Sequence, residues 1–131
     1  MRFGELRGLT SLPINRVRDQ FRYEEVLTVL PVWDAATSRE TLFVATRPML
    51  ALLIPIRVPA GHWMTRWSPW DEVSIVDPGA PQNQDEDVYR LGLLVGSQAF
   101  HAQLRGEAGR KALRDFVGAM RLSQPRKTIQ R

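Results

Sequence analysis

The stretch Gly106-Glu-Ala-Gly-Arg-Lys-Ala-Leu-Arg-Asp-Phe-Val-Gly-Ala-Met-Arg121 leaves this chain the fewest choices. Ala108, Ala112, Leu113, Phe116, Val117 and Met120 recur at the spacing that gathers side chains on one face of a helix. Gly109 falls on the same face, where a missing side chain lets the helix sit close to whatever it covers. Arg110, Arg114 and Arg121 form a basic stripe beside that face. Glu107 suits a helix start, because an acid near the exposed N–H groups opposes the helix dipole favourably. A lone helix of this length is marginal in water, so its apolar face must be docked. Directly before it, Val88 to Val95 and Gln98 to Gln103 read as two strands about a Gly96-Ser97 turn. The pattern predicts a β-rich body closed by one C-terminal amphipathic helix.

Going back along the chain, residues 1–12 give only a weak helical signal. Pro13 can open a short helix to Phe21, since proline is tolerated in a first turn, and Ile14, Val17 and Phe21 share one face. From Val26 to Trp33 the residues are β-branched or aromatic and predict a strand, with Pro31 pointing to an edge or bulge. Thr41 to Arg47 and Met49 to Arg57 predict a second and a third strand, separated by Pro48. His62 to Trp67 can alternate, with Trp63, Thr65 and Trp67 on one face and His62, Met64 and Arg66 on the other. Glu72 to Val76 predicts a further strand. Residues 77–87 read as a polar, mobile loop, and the residues after Met120 as a basic, disordered tail. About seven strands and one helix fit two packed sheets or a bent antiparallel barrel with the helix over one open end.

Composition limits the chemistry. At 131 residues the chain is read as a single domain, large enough to bury a core. There is no cysteine, which removes disulfides, thiol nucleophiles and thiolate-bound zinc. The first residues lack the apolar run of a signal peptide, and the most hydrophobic stretch, Met49 to Ile56, falls well short of the roughly 20 residues a spanning helix needs. The expectation is a soluble, cytoplasmic protein. The net charge of +4 is unevenly spread: residues 1–22 carry +3, residues 23–104 carry −5 and residues 105–131 carry +6. Basic ends on an acidic body can draw phosphates or anionic headgroups, or can simply be a solvated helix face and tail.

The residues in order resemble the bacterial pleckstrin-homology-like domains over about 24–121. The resemblance rests on the strand opening at Glu24-Glu-Val-Leu-Thr-Val and on Leu42-Phe-Val-Ala-Thr-Arg47, which looks like the family's "lxlTxxR" strand. It continues in Trp67-Ser-Pro-Trp-Asp-Glu-Val-Ser-Ile-Val76, similar to the "ipyxdIxxv" segment, and in Phe100 to Met120, similar to the strand-to-helix ending. It implies a seven-stranded bent barrel capped by the C-terminal helix, with a binding or scaffolding role and no catalysis. On this reading residues 1–23 are an N-terminal helical extension, 24–121 the domain and 122–131 a basic tail. The hairpin from Val26 to Arg47 holds Arg39 and Arg47 but no lysine, so the lysine-rich pattern of phosphoinositide-gripping members is missing.

Individual residues point the same way. His62 and His101 are the only histidines, without a third ligand near either in sequence, so no metal and no cofactor is expected; His101 reads as a half-buried strand residue. Asp85-Glu-Asp87 lacks the ligand alternation of a calcium loop. No serine sits in a nucleophile elbow and no glycine-rich loop precedes a helix, so no enzyme is expected. Asp71 and Glu72, as strand neighbours, point apart. Arg39, Arg57 and His62 should approach one rim, which in the family is the ligand-binding end, and could hold a phosphate or a carboxylated peptide. Arg110, Arg114 and Arg121 are a candidate basic surface. Trp70 should be buried, and one of Trp63 and Trp67 partly exposed as an adhesive patch. The preferred function is a binding module recruiting a protein partner or an anionic membrane surface. The alternative is a homo-oligomer built on a strand edge or the tryptophan face, and nucleic-acid binding is disfavoured by the acidic body.

Overall fold

A computed structural model describes residues 1–77 and 87–124. The expectations for most of the 77–87 loop and for most of the tail fall on residues 78–86 and 125–131, outside the described residues. Seven strands form one antiparallel sheet: β1 (Val26–Asp34), β2 (Glu40–Thr46), β3 (Met49–Pro55), β4 (Trp63–Pro69), β5 (Val73–Asp77), β6 (Val88–Val95) and β7 (Gln98–Arg105). Their order across the sheet is β4-β3-β2-β1-β7-β6-β5, so among the described residues β4 and β5 are its two edges and the sheet is not closed. Two helices accompany it, α1 (Ile14–Gln20) and α2 (Gly106–Ser123), with a 3₁₀ turn at Phe3–Leu6 and another at Trp70–Glu72.

Which faces of the sheet are covered follows from the strand patterns. In β2 the residues from Thr41 to Thr46 are buried without a break, so both faces must be roofed. On one face Phe43 and Ala45 join Leu50, Leu52, Leu91, Leu93, Phe100 and the apolar side of α2 in one buried cluster. This cluster draws on strands from both ends of the order, so the sheet curls over it. On the other face Val29, Leu42, Val44, Ala51 and Leu53 pack against Leu6, Leu12, Val17 and Phe21. The first 23 residues are thus a second layer over half of the sheet. β7 alternates between buried Phe100, Ala102 and Leu104 and exposed His101, Gln103 and Arg105, so its outer face needs no roof.

Helix α2 is the lid the sequence required. Phe116 is fully buried, its ring 5.8 Å from Phe43 and 6.1 Å from Trp70. Gly109 meets the sheet where expected: a Cβ placed there would lie 2.7 Å from Leu104 Cβ and 2.8 Å from the Leu104 carbonyl carbon. Gly106 begins the helix at φ 72°, in the left-handed region where a side chain is strained, and its N–H donates to the Asp87 carbonyl at 2.9 Å. At the far end Gln124 Nε2 donates to the carbonyls of Trp70 and Val73, pinning the helix to the turn between β4 and β5.

Some expectations are corrected. The helix runs on to Ser123, past the expected start of the tail at Leu122. Ala108 is exposed and Ala119 takes its place on the buried face, because the docked face is narrower than the apolar stripe and leans toward the C-terminus. β1 is central in the order, yet it pairs with β7 only through Trp33 and Asp34, so Pro31 faces no ladder partner from β7 and is tolerated. Asp71 and Glu72 lie in the 3₁₀ turn, not in a strand. His101 is exposed, stacked 6.2 Å from Trp33 on the unroofed face.

Candidate binding surface

Two connections build the rim that carries Arg39, Arg57 and His62. In the first, between β1 and β2, Asp34 Oδ1 accepts the N–H groups of Ala36 at 2.8 Å and Thr37 at 3.1 Å, while Oδ2 accepts from Gln98 Nε2. An aspartate bonding to the backbone just ahead of it is a turn device that competes well with strand continuation. Ser38 completes the reversal at φ 59°, and the Asp34 N–H closes it on the Arg39 carbonyl at 2.8 Å. These bonds favour the ionised form, the Gln98 contact most, so the Asp34 carboxyl is held below its ordinary 3.8. The second connection, between β3 and β4, is closed by the Ile56 N–H on the His62 carbonyl at 3.1 Å.

The two connections bring Arg39 and Arg57 to one open concavity of about 470 Å³, floored by Ile54, Pro55, Ile56 and Met64. Arg57 and His62 line an adjoining concavity of about 370 Å³, walled by Ser11, Leu12 and Gly61. Glu40 borders both. Its carboxylate is already engaged, accepting from the Thr10 hydroxyl at 3.1 Å and from the N–H and hydroxyl of Ser11. Among the described residues no carboxylate lies within 4.0 Å of Arg39, Arg57 or His62. The result is an exposed pair of guanidinium groups above an apolar floor. Such a pair can take a phosphate or carboxylate in bidentate fashion.

The other two candidate groups sit elsewhere. Arg110, Arg114 and Arg121 are all exposed on the outer side of α2, and neither rim concavity includes a residue of that helix. Arg110 lies 3.6 Å from Glu107, and the neighbouring Lys111 lies 3.3 Å from Asp115, so local pairing takes up part of the stripe's charge. Trp63, Thr65 and Trp67 do share a face, but α1 lies against it. Gln20 accepts from Trp63 Nε1 at 2.7 Å and donates to Thr65 Oγ1 at 2.9 Å. Arg16 lies 5.4 Å above the Trp63 ring, and Phe21 lies 5.9 Å from Trp67. Trp63 is half-buried, Trp67 remains 41% exposed, and Trp70 is buried with Nε1 donating to the Thr46 carbonyl at 2.8 Å.

Sequence reasoning missed Ile54, Met64 and Glu40. Met64 is 58% exposed and forms the floor only because β4 runs beside Ile54 of β3. Glu40 is tied to residues some thirty positions away, a separation at which no local pattern speaks. Among the described residues no three histidine, aspartate or glutamate side chains converge as a metal site, and no helix is long and apolar enough to cross a membrane. Comparison with known family models, with characterised proteins and with solved structures gives no significant match for this chain.

Proposed function

We propose that this chain is a non-catalytic binding module of the pleckstrin-homology-like kind, which recruits a protein partner or an anionic membrane surface through the rim at Arg39 and Arg57. The observation that carries the reading is the convergence of these two arginines, from separate connections, on one open concavity while the nearby Glu40 is engaged by Thr10 and Ser11. Seven antiparallel strands with the C-terminal helix over one buried face agree with the strand count and helical cap the resemblance implies, and support the same reading. His62 extends the rim on the side of the N-terminal segment.

Co-sedimentation with anionic and neutral vesicles, at low and physiological salt, tests the membrane arm. The full chain is compared with Arg39→Glu/Arg57→Glu, with Arg110→Glu/Arg114→Glu and with a chain ending at Gln124. Binding to anionic vesicles that persists at physiological salt and weakens roughly tenfold or more in the rim variant supports the rim, since each arginine near an anionic surface contributes about 1 kcal/mol. Binding that follows the helix variant or the shortened chain refutes it in favour of a diffuse basic tether.

A further inference from the structure

We propose that the free edge of β4 accepts an extended acidic segment of a partner protein as an added strand, with Arg66, Arg57 and Arg39 receiving its carboxylates on the concave side. This rests on the binding-module reading and gives its protein partner a chemistry.

The two edges of the sheet differ. β5 has five residues, and its pairing to β6 is interrupted by a bulge between Ile75 and Asp77, a usual way of blunting an edge. β4 has seven residues in an unbroken register with β3, from Pro55↔Trp63 to Met49↔Pro69. It carries no bulge and no lysine, and its single proline, Pro69, occupies the final position. Among the described residues no strand pairs with its other side, so its outward N–H and C=O groups form a template for one more strand. Its C-terminal half looks across an open groove of about 250 Å³ toward Val95, Ser97 and Gln98.

Charge selects the occupant. On the concave side of the sheet, Arg66 stands opposite Leu52 and Met64 opposite Ile54, beside the Arg39 and Arg57 concavity. None of these arginines has a carboxylate within 4.0 Å among the described residues. The carboxylates nearest in the lining are Glu40, held by Thr10 and Ser11, and Glu72, which shares the 250 Å³ groove with Arg66 but stands more than 4.0 Å from its guanidinium. On the opposite side of the strand lie Trp63, Thr65 and the partly exposed Trp67. Because neighbouring residues of a strand face opposite ways, the fitting segment alternates: acids over Arg66, apolar side chains over Trp67. A second copy of this chain is a poorer occupant, since its own β4 is basic and would bring arginines together.

The probe is a fluorescein-labelled octapeptide of alternating valine and glutamate, followed by anisotropy on the full chain at physiological salt. Two control peptides replace glutamate by lysine, or two central residues by proline. We expect saturable binding of the first peptide, no binding of the lysine form, and roughly tenfold or greater loss for the proline form, which cannot complete the ladder bonds. Arg66→Glu should weaken binding to a similar degree and Arg90→Glu, of equal charge change on the outer face of β6, should not. Slowed hydrogen exchange of β4 amides on binding would confirm the site. Equal binding of the proline and alternating peptides would overturn the proposal, because charge alone would then explain it. A dimer in light scattering with β4 amides already protected would overturn it too, by giving the edge to a second copy. Vesicle binding through the rim with no peptide binding would refute this inference and leave the rim reading intact; absence of both would remove the two together.

Discussion

Helix α2 contains two glycines in very different surroundings, and replacing each by alanine isolates what its docking is worth. At Gly118 an added Cβ meets nothing within 4 Å, whereas at Gly109 it would stand 2.7 Å from Leu104 Cβ and 2.8 Å from the Leu104 carbonyl carbon. Both substitutions gain the same intrinsic preference of alanine for a helix, about 1 kcal/mol. Only Gly109→Ala must also move something, and its obstacle includes backbone, which cannot swing away as a side chain tip could. To restore an ordinary contact near 3.7 Å the helix must lift by roughly 1 Å, a gap at which packed atoms forfeit a quarter to a half of their attraction. Ala112, Leu113 and Phe116, on the buried face of α2, would feel that gap. Overpacking of this kind costs about 1–3 kcal/mol. The common helix gain cancels in the comparison, so Gly118→Ala should exceed Gly109→Ala in unfolding free energy by that same about 1–3 kcal/mol. Urea denaturation of both variants beside the parent chain, followed by circular dichroism, measures it. Gly118→Ala should lie above the parent. Equal stability of the two variants would show that α2 does not rest on Leu104 and would refute the account of how the helix closes the sheet.

Two further outcomes test other joints of the fold. Trp70→Phe keeps an aromatic ring but shrinks it and removes the donor to the Thr46 carbonyl. It should cost at least about 1–3 kcal/mol in the same urea assay, the usual penalty for an orphaned buried acceptor, with lost packing added. Asp34 gives a pH signature. Its carboxyl is held below 3.8, chiefly by Gln98, so its unfolded form binds a proton more readily than its folded form. Its contribution to stability is therefore complete above about pH 4 and fades as the pH falls through the lowered folded value. Asp34→Asn should flatten the acid limb of a stability–pH curve measured from pH 7 to pH 2; an unchanged slope would mean that the Asp34 turn does not couple folding to protons.

The rim was partly legible before the fold was known. Arg39 could be placed in the first connection and Arg57 and His62 beside the third because strands announce themselves by β-branched runs and connections by Pro, Gly and Asp. The strand boundaries follow from the same chemistry to within a few residues. Charge could be read as well, and so could its pairing within the helix. Arg110 follows Glu107 by three residues and lies against it, while Arg114 has no acid three or four residues away and no carboxylate within 4.0 Å among the described residues.

What the sequence determined by itself was local: the amphipathic period of α2, the need for a bare residue at Gly109, the alternation of β7 and the unbroken apolar run of β2. Each depends on residues close together along the chain, where the geometry of a helix or strand converts spacing into direction. The tertiary structure alone decided which long-range partner each exposed or apolar group would meet. Trp63 and Trp67 offered a sticky face in the sequence, and only folding brought Gln20 of α1 and Phe21 just after it onto that face. Glu40 adjoins Arg39 in the sequence, and only folding delivered Thr10 and Ser11 to hold its carboxylate. That β4 ends the sheet, with no strand on its outer side among the described residues and arginines beside it, likewise follows from strand order, which no single strand encodes.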